Sequence, residues 1–278
     1  MNRFRKLLNE KTSQPLKWHG GKSYLADWIV DNFPARDLYT HYAEPYAGGL
    51  SVLFRHNPEG KSESVNDLSQ ELSDFWYVLA KAPDQMIRAL WATPLSQVAW
   101  EDAIGSIGME PDQVKRATKF FVRYRQSRQG LGKDYCTPTS RTRRGMNENA
   151  SAWLSAVEGL PEAHKRLRRV EVRCMDAIDF IRKYDHPKAL FYCDPPYLHE
   201  TRVTTKEYVH EMGAECHQRL LDCLSEIDGM FILSGYESQM YSEAAEDFQW
   251  RSVKRLIDNK ASSKKTKDKR TEVLWMNY

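Results

Sequence analysis

Asp194-Pro195-Pro196-Tyr197 directly follows an apolar run, Ala-Leu-Phe-Tyr-Cys at 189–193. The tetrapeptide gathers complementary chemistry on one turn. Its carboxylate accepts hydrogen bonds. Pro195 adds a carbonyl acceptor and no N–H donor, and two prolines in sequence hold the backbone rigid. Tyr197 offers an aromatic face to a planar ring. Two acceptors beside an aromatic plate suit an exocyclic amino group, which presents two N–H donors on a flat ring. A Pro-Pro pair alone is an ordinary end to a strand. The acid before it and the tyrosine after it supply the chemical content.

Such a turn must be carried by a scaffold, and the sequence indicates which one. Residues 38–43 are apolar or aromatic and lead into Glu44-Pro45; 189–193 end at the Asp-Pro-Pro turn; 230–233 end at Ser234-Gly235; 272–278 form a last candidate strand. Each is short and most are closed by breakers, the pattern of buried strands. Helical spacing lies between them. It covers 23–32 after a Gly-Gly-Lys turn, 69–79 with Leu72, Phe75, Trp76 and Leu79, and 217–227 with Leu220, Leu221, Leu224 and Ile227. Alternating strands and helices predict an α/β domain with a largely parallel sheet. Ligands of such sheets sit beyond the carboxyl ends of the strands, where Glu44-Pro45 and Asp194-Pro195 fall. The middle differs. Amphipathic helical stretches at 84–91, 97–104 and 113–124 precede a Gly/Arg-rich span at 125–149. Residues 81–169 are therefore expected to be an inserted, mainly helical second domain with a basic side facing a ligand, and 1–80 with 170–278 the α/β domain.

The 278 residues allow one large domain or two of moderate size, and 41% hydrophobic with 28% charged residues is a globular composition. No apolar run approaches the roughly 20 residues that span a bilayer, and the N-terminus is too polar for a secretory signal. The net charge is only +3, but it is unevenly spread. Residues 115–144 hold ten Lys/Arg and a single acid, Asp134; residues 251–270 hold nine against Asp258 and Asp268. Two basic blocks in a nearly balanced chain fit contact with a polyanion as well as they fit a solvated surface. The stretch 260–270 lacks large apolar residues and is expected to be a mobile loop. The five cysteines are odd in number and form no CxxC pair, so neither a disulfide framework nor a zinc cluster is expected, and a reducing cytoplasm fits.

Six segments in order, that turn among them, extend the pattern over nearly the whole chain. They are Lys17-Trp18-His19-Gly20-Gly21-Lys22, Glu44-Pro45-Tyr46-Ala47-Gly48-Gly49, Asn66-Asp67-Leu68, Cys174-Met175-Asp176, the Asp194–Tyr197 turn and Arg270-Thr271-Glu272-Val273-Leu274-Trp275. Together they resemble the Dam-like DNA adenine N6-methyltransferases, particularly the phage-type members. The resemblance implies a Rossmann-like sheet that binds S-adenosylmethionine, with the 81–169 insert recognising double-stranded DNA. It implies that Trp18 packs on the cofactor, that Lys22 pairs with its carboxylate, and that Glu44, Pro45, Tyr46 and Gly48 line it. Asp67 would accept from the ribose hydroxyls and Asp176 from the cofactor's adenine amino group. Taken alone, either aspartate is equally a helix N-cap. Asp194, Pro195, Pro196 and Tyr197 would carry catalysis on an adenine flipped out of the duplex, with Asp194 also facing the cofactor. Lys17, Arg123, Arg125, Arg128, Lys133 and Arg141 would contact DNA, joined by Arg143 and Arg144, with Tyr124, Tyr135 and Gln126 reading or wedging bases. Residues 201–208 would close over the base. The expected protein is a cytoplasmic monomer without a metal. Two departures stand out: Leu50 occupies a place where the family often has a further glycine, and Ala177, not an aromatic, follows Asp176. Rival readings are methylation of cytosine N4 or of RNA adenine, and a non-catalytic DNA-binding relative; Asp194 at the first catalytic position favours adenine.

Overall fold

The computed structural model describes residues 14–198, 212–258 and 269–278. The expected closing segment at 201–208 and most of the basic stretch at 260–270 lie outside the described residues. The chain divides into two compact units. The first is built from described residues up to Asp31 with Gly48–Glu59 and Ser69–Cys174; the second from Asn32–Ala47, Gly60–Leu68 and the described residues from Met175 onward. The first unit holds residues on both sides of position 81, where the sequence places the start of an insert.

The first unit is mainly helical. It contains α1 (Ala26–Asp31), α2 (Gln70–Lys81), α3 (Pro83–Trp91), α4 (Gln97–Ser106), α5 (Gln113–Arg125), α6 (Glu148–Glu158) and α7 (Leu160–Leu167). Local chemistry sets the helix starts. Ser69, Ser96 and Asp112 cap α2, α4 and α5 by accepting the backbone N–H three residues on, and Asn147 caps α6. Pro83 opens α3 where a missing N–H does no harm. Phe75 of α2 stacks between Phe120 and Phe121 of α5, each with ring centroids 5.6 Å away. The Gly/Arg-rich span folds into two small devices. A 3-10 turn at Arg128–Gly130 sits in a loop closed by the Ser127–Tyr135 bridge. Strands β3 (Thr142–Arg143) and β4 (Met146–Asn147) then form a two-residue hairpin through Arg144-Gly145, both with positive φ.

The second unit is the α/β part. Its elements are β1 (His41–Glu44), β2 (Ser62–Asn66), α8 (Ala177–Tyr184), β6 (Ala189–Cys193), α9 (Ala214–Glu226), β7 (Met230–Tyr236), α10 (Gln239–Asp247), β8 (Arg251–Asp258) and β9 (Lys269–Met276), and β5 (Val170–Arg173) belongs to the first unit. Within this unit the strands run in the order β2-β1-β6-β7-β9-β8. Pairing is parallel from β2 through β1 and β6 to β7, and β9 is antiparallel to both β7 and β8. A mainly parallel sheet is what the sequence predicts. β6 is buried at all five positions, as expected of a strand covered on both faces. Leu220, Leu221 and Leu224 of α9 and Phe180 and Ile181 of α8 join Phe191, Phe231 and Leu233 in one apolar core.

Besides the two-residue strands β3 and β4, three strands were not anticipated. β2 is Ser-Glu-Ser-Val-Asn, polar in sequence yet buried at four of five positions. β5 is Val-Glu-Val-Arg, half charged. β8 carries Arg251, Lys254 and Arg255 and lay hidden inside a basic block. Residues 38–40, taken as strand, lie outside β1, which starts at His41.

Candidate active site

In the second unit, strand order reverses between β1 and β6, since the chain turns from β1 to β2 on one side and places β6 on the other. Ala43 stands opposite Phe191, so these neighbouring strands deliver Glu44 and Asp194 to the same end of the sheet. A crevice at such a reversal is where open α/β sheets hold ligands.

Asp194 is half-buried at the end of β6. Cys193 pairs with Leu233 of β7, which brings Ser234 alongside. The Ser234 hydroxyl donates to Asp194 Oδ1 at 3.0 Å, and Tyr192 O–H lies 3.2 Å from the same Ser234 Oγ. The aspartate therefore enters the site from a buried hydroxyl network. Pro195 is buried and Pro196 half-buried. Tyr197 is 7% exposed; its O–H donates to the Glu272 carboxylate and its ring meets Tyr236 edge-on at 4.7 Å. Burial, then the charges of Glu272 and Asp194, hold the Tyr197 phenol well above its usual range.

Glu44 is buried and accepts the Tyr42 O–H at 2.7 Å, two residues away on the same strand face. Pro45 O accepts from Asn66 Nδ2 at 3.1 Å. The same Asn66 donates to Met175 O at 3.0 Å and accepts from Met175 N at 3.0 Å. One buried amide thus ties the loop after β1 to the loop before α8. Tyr46 is half-buried against the apolar core, and burial raises its phenol well above the usual value. Asp67 follows Asn66 and is half-buried; the cap of α2 is Ser69, so Asp67 is not that helix's N-cap. Asp176 does cap a helix: its Oδ1 accepts from Ile178 N at 2.9 Å and Asp179 N at 3.3 Å at the start of α8.

The first unit holds the remaining predicted residues. Trp18 packs its ring on Tyr124 and Phe120, with centroids 4.9 and 6.2 Å away. Gly48 has φ +47°, and a Cβ there would lie 3.1 Å from the Trp18 ring. Only glycine combines that backbone with so close an approach. Its carbonyl accepts from Trp76 Nε1 at 3.0 Å. Leu50 also has a positive φ of 56° while its side chain is fully buried. The backbone at this departure from the family pattern thus keeps a glycine-like conformation, and apolar burial offsets a strain of about 1–2 kcal/mol. Lys22 is 6% exposed, and its ammonium donates to Gly20 O at 3.0 Å.

The basic residues separate into two kinds. Lys17 donates to Ser127 O at 3.2 Å, and burial followed by the Arg125 charge lowers its ammonium below the usual range. Gly130, at φ +73°, would place a Cβ 2.6 Å from Lys17 O, so the loop can rest there only with glycine. Arg123 donates to Gly132 O at 3.1 Å, pairs with Glu71 and lies over the Tyr124 ring. Arg125 donates to Ala152 O at 3.1 Å, and burial pushes its guanidinium down to about 10. Arg144 grips Glu158 with two hydrogen bonds of 2.9 and 3.0 Å. These arginines hold loop, helix and hairpin together. Arg128, Lys133, Arg141 and Arg143 are exposed. Arg128 and Arg141, with Lys17, Thr139, Glu148 and Asn149, help line a cleft of about 480 Å³. The expectation that Tyr124 and Gln126 read bases is corrected. Tyr124 is buried against Trp18, and Gln126, 1% exposed, accepts from Ser96 N and donates to Pro94 O. Tyr135 is half-buried beside Trp100, and burial raises its phenol to about 12.

Sequence reasoning missed Ser234, Glu272 and the bracing role of Asn66. Their only sequence signal was position: each stands next to or within a recognised segment, but its partner is set by strand pairing. A family model described as D12 class N6 adenine-specific DNA methyltransferase matches residues 18–259. No curated protein matches the chain.

Proposed function

Because the chain belongs to the D12 class N6 adenine-specific DNA methyltransferases, we propose that it methylates adenine N6 at a specific site in double-stranded DNA, using S-adenosylmethionine and flipping the target base into the crevice at β1 and β6. The carrying observation is the position of Asp194 at the strand-order reversal, with its carboxylate held by Ser234.

The residues fit the cofactor on their own chemistry. Lys22 offers a buried ammonium for a carboxylate, Gly48 leaves the Trp18 edge open to close approach, and Asp67, not used as the α2 cap, suits ribose hydroxyls. Glu44, Pro45 and Tyr46 would line the same ligand. Asp176 would accept from its adenine with Oδ2, since Oδ1 serves the α8 cap. S-adenosylmethionine, when bound, supplies a methyl carbon made electrophilic by its sulfonium.

Asp194 and the Pro195 carbonyl accept the two N6 hydrogens of the extruded adenine. This draws the amino nitrogen towards pyramidal geometry and localises its lone pair. Pro196 keeps the turn rigid, and Tyr197 stacks on the base, offsetting part of the few kcal/mol of unstacking. Rate enhancement then comes from orientation and preorganised acceptors. No covalent intermediate on the enzyme is needed, so buried Cys193 is strand filling. Residues 81–169 act as the target-recognition region, with 1–80 and 170–278 catalytic. Exposed Arg128, Lys133 and Arg141 contact DNA directly. Lys17, Arg123 and Arg125 shape the surface that presents them.

Asp194→Ala is expected to abolish methyl transfer, lowering kcat by about 100- to 1,000-fold or to background, while S-adenosylmethionine binding survives in part. Tritiated-methyl transfer to DNA, with isothermal titration of the cofactor, checks this; near-normal turnover would overturn the assignment. Sequencing that detects methylated adenine in DNA from expressing cells tests base and target site together.

A further inference from the structure

β9 supports the catalytic turn from within the sheet, and it does so with an acid. Glu272 is 1% exposed, and its carboxylate accepts the Tyr197 O–H. Across the β7–β9 ladder Glu272 stands opposite Tyr236. The Tyr236 ring meets the Tyr197 ring edge-on, with centroids 4.7 Å apart and planes 76° apart. Arg270, two residues back on β9, holds its guanidinium 5.0 Å from the Tyr236 ring centroid. Tyr197 is therefore gripped at its oxygen by one strand and at its ring by the next.

Stability alone does not call for this arrangement. A buried carboxylate carries a desolvation penalty, and apolar replacements of buried charges are often neutral or stabilising. What the charged acceptor adds is direction: hydrogen bonds to ionised groups are short and about twice as strong as neutral ones. A tyrosine side chain has two rotatable bonds before its ring, so fixing the oxygen and one edge fixes the ring plane. The phenol, raised by burial and by these acids, remains a donor throughout the working range.

We propose that Glu272 is a positioning residue for methyl transfer: through the Tyr197 O–H it sets the plane of the ring on which the flipped adenine stacks, with Tyr236 as the lateral stop. The inference rests on Tyr197 being that stacking plate.

The test uses the full chain and a duplex carrying the target sequence found in methylated cellular DNA, with the target adenine either intact or replaced by 2-aminopurine. Glu272→Gln keeps an acceptor oxygen but gives up its charge, and should lower kcat by no more than about tenfold, the difference between a charge-assisted and a neutral hydrogen bond. Glu272→Leu removes the acceptor and should lower kcat by up to about 100-fold, the scale of a misplaced reactant. Its cofactor affinity should be unchanged, and the emission of the flipped 2-aminopurine should be altered. Tyr197→Phe/Glu272→Leu should match Tyr197→Phe alone, because the two residues act as one unit. This pair, apolar on both sides, also carries the comparison if Glu272→Leu alone does not fold. Wild-type kcat and emission in Glu272→Leu, or a double variant well below Tyr197→Phe, overturns the positioning role. A wild-type enzyme that neither methylates the adenine nor changes 2-aminopurine emission overturns the plate itself, and the positioning role with it.

Discussion

Ser234 shows how much of the chemistry at Asp194 depends on a neighbour. Its hydroxyl points one acceptor oxygen of Asp194 inward at 3.0 Å, which orients the carboxylate relative to the turn. Ser234→Ala removes that restraint and leaves a fully buried position with little change in volume. We expect kcat to fall about tenfold, the worth of one hydrogen bond to a charged group, with cofactor affinity unchanged. Single-turnover kinetics on methylatable DNA check this; an unchanged rate would mean that the turn alone orients the acid. At this scale the sequence was informative where one short segment contains all the needed groups. Asp194, Pro195 and Tyr197 are contiguous, so their joint chemistry could be read directly. Ser234, Glu272 and Asn66 act on residues 40, 75 and 109 positions away, and no local pattern announces such partners.

Among the elements, β6 was legible because five buried apolar residues end in a breaker. β2 was not, because it buries the polar side chains of Glu63, Ser64 and Asn66, the last of them tied by hydrogen bonds to Pro45 O and Met175 O. β8 was hidden for a different reason. It lies at the edge of the sheet order, where charged side chains on an exposed strand discourage pairing with other chains. Part of the second basic block is thus explained by position in the sheet. The first block divides in the same way. Arg128→Ala and Arg141→Ala should each weaken DNA binding, and each lost phosphate contact should flatten the salt slope by about 1, with unfolding unchanged. Arg125→Ala should instead destabilise the first unit by about 2 kcal/mol through its lost hydrogen bond to Ala152 O. Fluorescence anisotropy across salt concentrations, paired with urea unfolding, separates the two kinds. A stable Arg125→Ala that loses only DNA affinity would reverse the assignment.

For the whole molecule, buried phenols set an alkaline limit. Tyr42, Tyr192 and Tyr197 are each buried, and each is raised well above the ordinary value of 10.0, first by burial and then by a neighbouring carboxylate, Glu44 at Tyr42, Asp194 at Tyr192 and Glu272 at Tyr197. Their contribution is complete below pH 10, where unfolded tyrosines begin to ionise, and is lost as pH rises towards their folded values. These three alone predict a loss that steepens above pH 10 towards about 4 kcal/mol per pH unit, and the raised phenols of Tyr46 and Tyr241 add to it. Urea midpoints from pH 8 to 11 test this, and a flat profile would contradict it. The two compact units also differ in when they can be completed. The first is finished at Cys174, whereas the second pairs β1 and β2, made early, with β6, β7 and β9, made last. During synthesis, β1 therefore waits through about 145 further residues for the strand that covers its other edge. A chain halted before β6 is made would keep that edge of β1 unpaired, and an unpaired edge is where a chaperone would be needed.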